Sequence, residues 1–151
     1  MQGITSKAWI LVCDGKRAIY LENKGSALHP NLEVHQVHEH DDPASHDINS
    51  DAPGRTSGPD GRRSSVDNGD AHDLQEQRFL KAIGERMEKF HAKFHFQDFI
   101  LVAPARALGL LRKVLPHQLK SILRAELEKD LVKLSVPEIT HHLMDAFKIP
   151  A

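Results

Sequence analysis

Three arginines fall in a stretch that has almost no apolar side chain to bury, residues 50–65, which reads SDAPGRTSGPDGRRSS. Guanidinium groups make paired hydrogen bonds to phosphate oxygens, and glycine lets a backbone approach a phosphate closely. The stretch therefore predicts contact with a phosphate-bearing ligand; the alternative is a solvated connection that binds nothing. The arginines concerned are Arg55, Arg62 and Arg63.

A second basic segment, residues 105–125, carries five cationic side chains and no acid. Its first arginine, Arg106, is predicted at a helix N-terminus beside the carboxyl end of a strand, where anions bind in open α/β sheets. The segment predicts a face for an RNA backbone, or an ordinary solvated helix face. Trp9 and most phenylalanines are expected in the core, so no aromatic platform for bases is predicted. The five cations are Arg106, Arg112, Lys113, Lys120 and Arg124.

A group of histidines and acids between residues 35 and 47 could supply zinc ligands. His38 and His40 would point to one side of a strand and are the weak candidates. Their spacing matches no compact ligand pattern, however, so we expect no metal and no cofactor.

Catalytic arrangements are weakly indicated. Cys13 ends an apolar run and is expected to pack inertly. No nucleophile elbow surrounds the serines at 64–65, and nothing in the sequence shows that Asp14, Asp51 and Asp130 converge on metal ions. No catalytic residue is predicted.

Length and composition indicate one domain over residues 1–151, since a chain of this length can bury a sufficient core. The formal net charge of −1 predicts no partner by itself. The single cysteine suits a reducing compartment. No apolar run approaches the ~20 residues that a membrane helix needs. A cytoplasmic protein without membrane insertion is expected.

Apolar periodicity predicts a three-stranded meander at the beginning of the chain. Residues 8–13 form a continuous apolar run, Asp14 and Gly15 signal a hairpin, and residues 17–22 return as an antiparallel strand. The alternation of apolar residues in 32–38 is interrupted at Val37, which suggests an edge strand with a bulge. Residues 41–70 then contain few aliphatic side chains and predict a flexible loop rich in Gly, Pro and Arg.

The remainder predicts alternating helices and strands. Asp70 is expected to cap a long helix whose buried stripe runs from Phe79 to Phe94. Residues 98–104 read as a doubly buried strand, and a helix follows. Ser135 and Glu138 occupy capping-box positions before a last helix. Residues 117–131 stay ambiguous: local period favours helix, whereas the overall alternation favours a strand at 122–127.

Several segments together resemble the bacterial host-attachment protein family: WILVCDGKRAIYLE, SDAPGRTSG, FILVAPARALGLLR and LEKDLVKLS. The resemblance covers nearly the whole chain in order. Ala52 stands where that family usually has Arg, and Ala105 where it has Pro. The matching motif residues are Asp14, Gly15, Asp51, Pro53 and Gly54.

That family is similar to the middle domain of archaeal and eukaryotic peptide-chain release factors. The resemblance implies an α/β, RNase-H-like, three-layer fold with a mixed five-stranded sheet and a long loop between strand 3 and the first long helix. It also resolves the ambiguity above in favour of a strand at 122–127. The corresponding loop of the release factors carries Gly-Gly-Gln, but residues 54–65 contain neither Gly-Gly nor Gln, so the hydrolytic chemistry is not implied.

The resulting expectation is a non-catalytic module that binds the ribosome or structured RNA, with an indirect role in attachment to host cells. Two alternatives stay open. One is a small-substrate enzyme in which the 41–70 loop is a lid near Arg106. The other is a homodimeric interaction module that pairs through the edge strand at 32–38.

Overall fold

A computed structural model describes residues 4–39 and 59–147, with side chains from residue 73 onward in the second range. Five strands form one mixed sheet: β1 (Trp9–Cys13), β2 (Arg17–Asn23), β3 (Leu32–Glu39), β4 (Phe99–Ala103) and β5 (Leu123–Glu128). Within the described residues, four helices accompany them: α1 (Pro59–Phe94), α2 (Ala105–Val114), α3 (His117–Lys120) and α4 (Val136–Ala146).

The strands lie in the order β3-β2-β1-β4-β5. β1 pairs antiparallel with β2 and β2 with β3, whereas β4 lies parallel to both β1 and β5. The expected meander and parallel crossovers are therefore confirmed, and so is the strand at the ambiguous segment. The α/β fold class that the sequence predicted is observed.

Two apolar cores lie on opposite faces of the sheet, because β1 and β4 alternate side chains between them. The first core joins one face to α1, α2 and α3, with Leu80, Ile83 and Leu111 fully buried. The second joins the other face to α4 through Ile139 and Leu143. Both faces are covered, which explains why β1 and β4 read as continuous apolar runs.

The hairpin between β1 and β2 is confirmed at Asp14 and Gly15. The Asp14 carboxylate accepts hydrogen bonds from the backbone N–H groups of Lys16, at 2.8 Å, and Arg17, at 2.9 Å. This side-chain turn satisfies donors that the strand ladder leaves unpaired. The Asp14 side chain is therefore engaged in the turn.

The edge strand and its bulge are also confirmed. β3 lies at the edge of the sheet, and Tyr20 pairs with Gln36 while Leu21 pairs with Val34. His35, between these two positions, is the extra residue. The bulge brings His35 against the aromatic side chains of the first core.

The start predicted for the long helix is wrong. α1 begins at Pro59, not at Asp70, so the predicted loop contains helix from residue 59 onward. Proline is favoured in the first turn of a helix, where its missing N–H has no partner to lose, and glycine costs only about 1 kcal/mol at an interior position. The Gly and Ser content of this segment was therefore a weak argument against helix. Residues 41–58 of the predicted loop lie outside the described residues.

No helix in the described ranges is both long enough and apolar enough to cross a bilayer.

Candidate nucleic-acid interface

The basic surface lies where α2 ends and α3 begins. Leu108, Leu111 and Leu115 point inward, as predicted, which leaves Arg112 and Lys113 exposed in the last turn of α2. Pro116 then starts the short helix α3, whose Leu119 is fully buried in the first core.

The burial of Leu119 decides which way α3 faces. Its neighbours His117 and Lys120 are exposed as a result. The surface thus gains His117, a residue that sequence reasoning did not single out although it lies inside the basic segment. Neither Lys113, His117 nor Lys120 forms an ion pair with a carboxylate in the part of the chain that the structure describes.

Arg112 is different, because it is bound by the protein's own carboxylate. Its Nε lies 3.1 Å from Glu126 Oε1, and a second nitrogen contacts the same carboxylate. The hydrogen bond to Glu126 raises the pKa of the Arg112 guanidinium. Arg124, the remaining cation of the segment, lies on β5 and is half-buried. Within the predicted segment, the exposed lysines are therefore the cations best placed to meet a phosphate.

Arg106 lies at the opposite end of α2, as predicted, but it is held by two acids of α1. Its Nε donates to Glu76 at 2.6 Å, and a terminal nitrogen donates to Asp73 at 2.8 Å. The hydrogen bond that Arg106 donates to Glu76 raises the pKa of the Arg106 guanidinium. Two carboxylates against one guanidinium leave this cluster with an excess of negative charge, so it is a poor site for an anion.

Gly15 lies directly against the Glu76 side chain of this cluster. A Cβ atom at Gly15 would lie 2.4 Å from Glu76 Oε2 and 2.7 Å from Glu76 Cγ. A side chain at position 15 would therefore have to displace the Glu76 side chain from its present position. The structure thus brings two predicted residues, Gly15 and Arg106, to one cluster through Glu76.

An aromatic cluster around the buried Trp9 reaches the surface at Phe94. The Trp9 ring is buried and stacks on His35, with centroids 4.4 Å apart and planes 18° apart. Phe94 lies 5.2 Å from Trp9 and 4.8 Å from His35, yet it is 38% exposed. His35 Nε2 lies 2.7 Å from a Glu22 carboxylate oxygen. Phe94, which was expected to end the buried stripe of the long helix, is therefore partly exposed.

The metal-ligand candidate His38 and the single cysteine, Cys13, are both buried. His38 is buried, and its Nδ1 lies 3.3 Å from the Tyr20 hydroxyl. Among the described side chains, those of residues 4–39 and 73–147, no three His, Cys, Asp or Glu gather as a metal site; His40 lies outside these ranges. Cys13 is buried, and desolvation raises the pKa of its thiol, so the predicted packing role is confirmed.

Some residues of the Gly/Arg stretch, residues 50–65, lie within the described ranges and others lie outside them. Arg62 and Arg63 lie in the first turns of α1. Four other predicted residues lie outside the described residues: Asp51, Pro53, Gly54 and Arg55.

Comparison with known protein families identifies the lineage. The family model described as Bacterial archaeo-eukaryotic release factor family 12 matches residues 7–143. The chain belongs to this family. The release-factor resemblance is thereby confirmed over residues 7–143.

A solved structure supports the same fold. The crystal structure of the archaeal translation termination factor aRF1 is similar to this member of family 12, with a TM-score of 0.50 and 14% sequence identity. The similarity covers 92% of this chain and 38% of the archaeal one, so the chain spans well under half of that factor's length. No curated protein matches the sequence.

Proposed function

We propose that this family-12 protein is a non-catalytic module that binds RNA, on the ribosome or as a structured RNA, through the end of α2 and through α3. The observation that carries the proposal is the exposed trio Lys113, His117 and Lys120, which has no carboxylate partner in the described ranges. Lysine and arginine supply the contacts that bind phosphate backbones irrespective of sequence.

Family membership supports a role related to translation. The family is named for release factors, and the similar archaeal protein is a translation termination factor. Peptide release itself is not proposed, because residues 54–65 lack the Gly-Gly-Gln of the release-factor loop. Arg55, Arg62 and Arg63 would instead add phosphate contacts to those of α2 and α3. A role in attachment to host cells, which the host-attachment resemblance implies, would follow indirectly from RNA binding.

Co-sedimentation with ribosomes at moderate salt tests the proposal. The wild type should pellet with ribosomes, and Lys113→Ala/Lys120→Ala should stay largely in the supernatant. Lys16→Ala/Lys133→Ala is the matched control, because it removes two exposed lysines elsewhere and changes the net charge equally. A wild type that remains in the supernatant together with all variants would refute the proposal.

A homodimer through β3 is a second candidate, favoured by one observation. β3 is an edge strand, and its Val34 and Val37 are 40% and 44% exposed. Antiparallel pairing of two copies would extend the sheet and cover these valines. Light scattering without nucleic acid tests it: the mass should double with concentration and should not depend on salt.

The enzyme alternative has weaker support. It needs Arg106 as the anchor for a small anion under a lid, but the Arg106 guanidinium is held by Asp73 and Glu76.

A further inference from the structure

We propose that Phe94, backed by His35 and Trp9, is a stacking subsite for an unpaired RNA base. The inference rests on the proposed function and adds to it a distinct kind of contact. Proteins that bind single-stranded nucleic acid combine cations for the backbone with aromatic rings for the bases.

Phe94 is exposed because of how α1 ends. Phe79, Ile83 and Met87 form the buried stripe of this helix, and Phe94 continues it to the last residue. His95 then adopts a left-handed backbone with φ of 54°, and its N–H bonds to the His91 carbonyl. This turn returns the chain to the core at Phe96 and leaves Phe94 at the rim.

The ring of Phe94 is held in place by its neighbours, which suits it to act as a platform. It lies against Trp9, His35 and Phe90, with centroid distances between 4.8 and 6.2 Å. His35 is fixed in turn by stacking on Trp9 and by its contact with Glu22. Little conformational entropy is then lost when a base stacks on the exposed side.

The charges around the ring favour a nucleotide. The Lys93 ammonium lies over the Phe94 ring, 5.3 Å from its centroid, so this exposed side chain would swing aside when a base stacks and would then contact the adjacent phosphate. Glu22, a nearby acid, is engaged by His35 at 2.7 Å and by Lys24 at 3.5 Å. Its negative charge is therefore compensated by neighbouring groups.

The subsite and the basic surface lie at the same end of the sheet, where β1, β4 and β5 begin. Trp9 pairs with Phe99, and Phe99 pairs with Leu123, so the amino ends of β1, β4 and β5 are adjacent. The backbone N–H of Phe99 bonds to the carbonyl of Ile122, just beyond α3. Two strand spacings, about 10 Å, separate β1 from β5. Lys120, which precedes β5, and Phe94, which precedes β4, therefore lie at the same end of the sheet.

The test measures fluorescence anisotropy of a short labelled oligouridylate against salt concentration. Phe94→Leu keeps an apolar side chain but removes the ring, so it should weaken binding at least about fivefold and leave the salt slope unchanged. Phe94→Tyr should bind like the wild type. Phe147→Leu, on the opposite face of the sheet, is the matched control. A duplex RNA offers no unpaired base, so its binding should not respond to Phe94→Leu.

The possible results separate the two proposals. If Phe94→Leu binds oligouridylate like the wild type, or if Phe94→Tyr loses as much affinity as Phe94→Leu, the stacking subsite is wrong. The proposed function still stands in either case, provided that Lys113→Ala/Lys120→Ala weakens binding. If the wild type binds no RNA, both proposals are wrong.

Discussion

Replacing His35 at the bulge of β3 should destabilise the fold through two separable terms. Its ring stacks on Trp9 at 4.4 Å, and such pairs contribute about 0.5–1.5 kcal/mol beyond area burial. Its Nε2 engages the carboxylate of Glu22, and both side chains are no more than 15% exposed. Leaving a buried polar group without its partner costs about 1–3 kcal/mol. Lys24 remains 3.5 Å from Glu22, which favours the lower part of that range.

For His35→Ala we therefore expect a loss of about 2–3 kcal/mol, which for a chain of this length lowers Tm by roughly 6–9 °C. His35→Phe keeps a ring and removes only the polar contact, so it should cost about 1 kcal/mol less than His35→Ala. In a Glu22→Gln background no carboxylate is left behind, so His35→Ala should retain only the stacking loss. Urea denaturation with Trp9, the single tryptophan, as the fluorescent reporter gives all these values.

Two results would refute this reasoning. If His35→Phe is as stable as the wild type, the contact with Glu22 contributes nothing. If His35→Phe and His35→Ala are equally destabilised, the ring stacking contributes nothing, and the rigid backing that we assign to Phe94 loses its physical basis.

Four further predictions concern the scaffold. Gly15→Ala should lower the urea midpoint in the wild type but not in a Glu76→Ala background, because the nearest atoms to the added methyl all belong to Glu76; equal losses in both backgrounds would contradict this contact. Ser135→Ala should cost about 1 kcal/mol of stability as a lost helix cap. Hydrogen bonds from Ser135 lower the pKa of Glu138. The destabilisation caused by Glu138→Gln should therefore be present at neutral pH and disappear as the pH falls through that lowered pKa. A destabilisation that persists in acid would argue against this contact. Cys13, buried and with a raised pKa, should react with a thiol reagent at neutral pH only on unfolding, and rapid labelling of the native protein would show that the thiol is accessible.

Much of the fold follows from local patterns. β1 and β4 are apolar runs covered on both faces, and the Asp-Gly turn and the Ser135–Glu138 capping box have the expected geometry. β5 could not be derived in this way, because the local period of its segment favours a helix. The overall alternation and the release-factor resemblance predicted the strand, and its pairing with β4 confirms it. The start of α1 was misplaced because glycine and serine weaken a helix without excluding it.

The site was less predictable, because its properties depend on contacts between distant segments. The sequence shows Arg106 and Arg112 as cations, but not that Glu76 and Glu126 bind them. It also shows Phe94 at the end of an apolar stripe, where helical period alone assigns it to the core. The left-handed turn at His95 leaves Phe94 exposed. The sequence does not predict this turn, because a left-handed helix end is usually marked by glycine.

The central claim, that α2 and α3 bind the RNA backbone, is tested most directly by the salt dependence of RNA affinity. Each phosphate contact contributes about 0.7 to the slope of log K against log salt for a single strand. The account predicts that Lys113→Ala/Lys120→Ala lowers this slope by about 1.4 relative to the wild type, whereas Lys16→Ala/Lys133→Ala leaves it unchanged. Equal slopes for the wild type and Lys113→Ala/Lys120→Ala would contradict the claim.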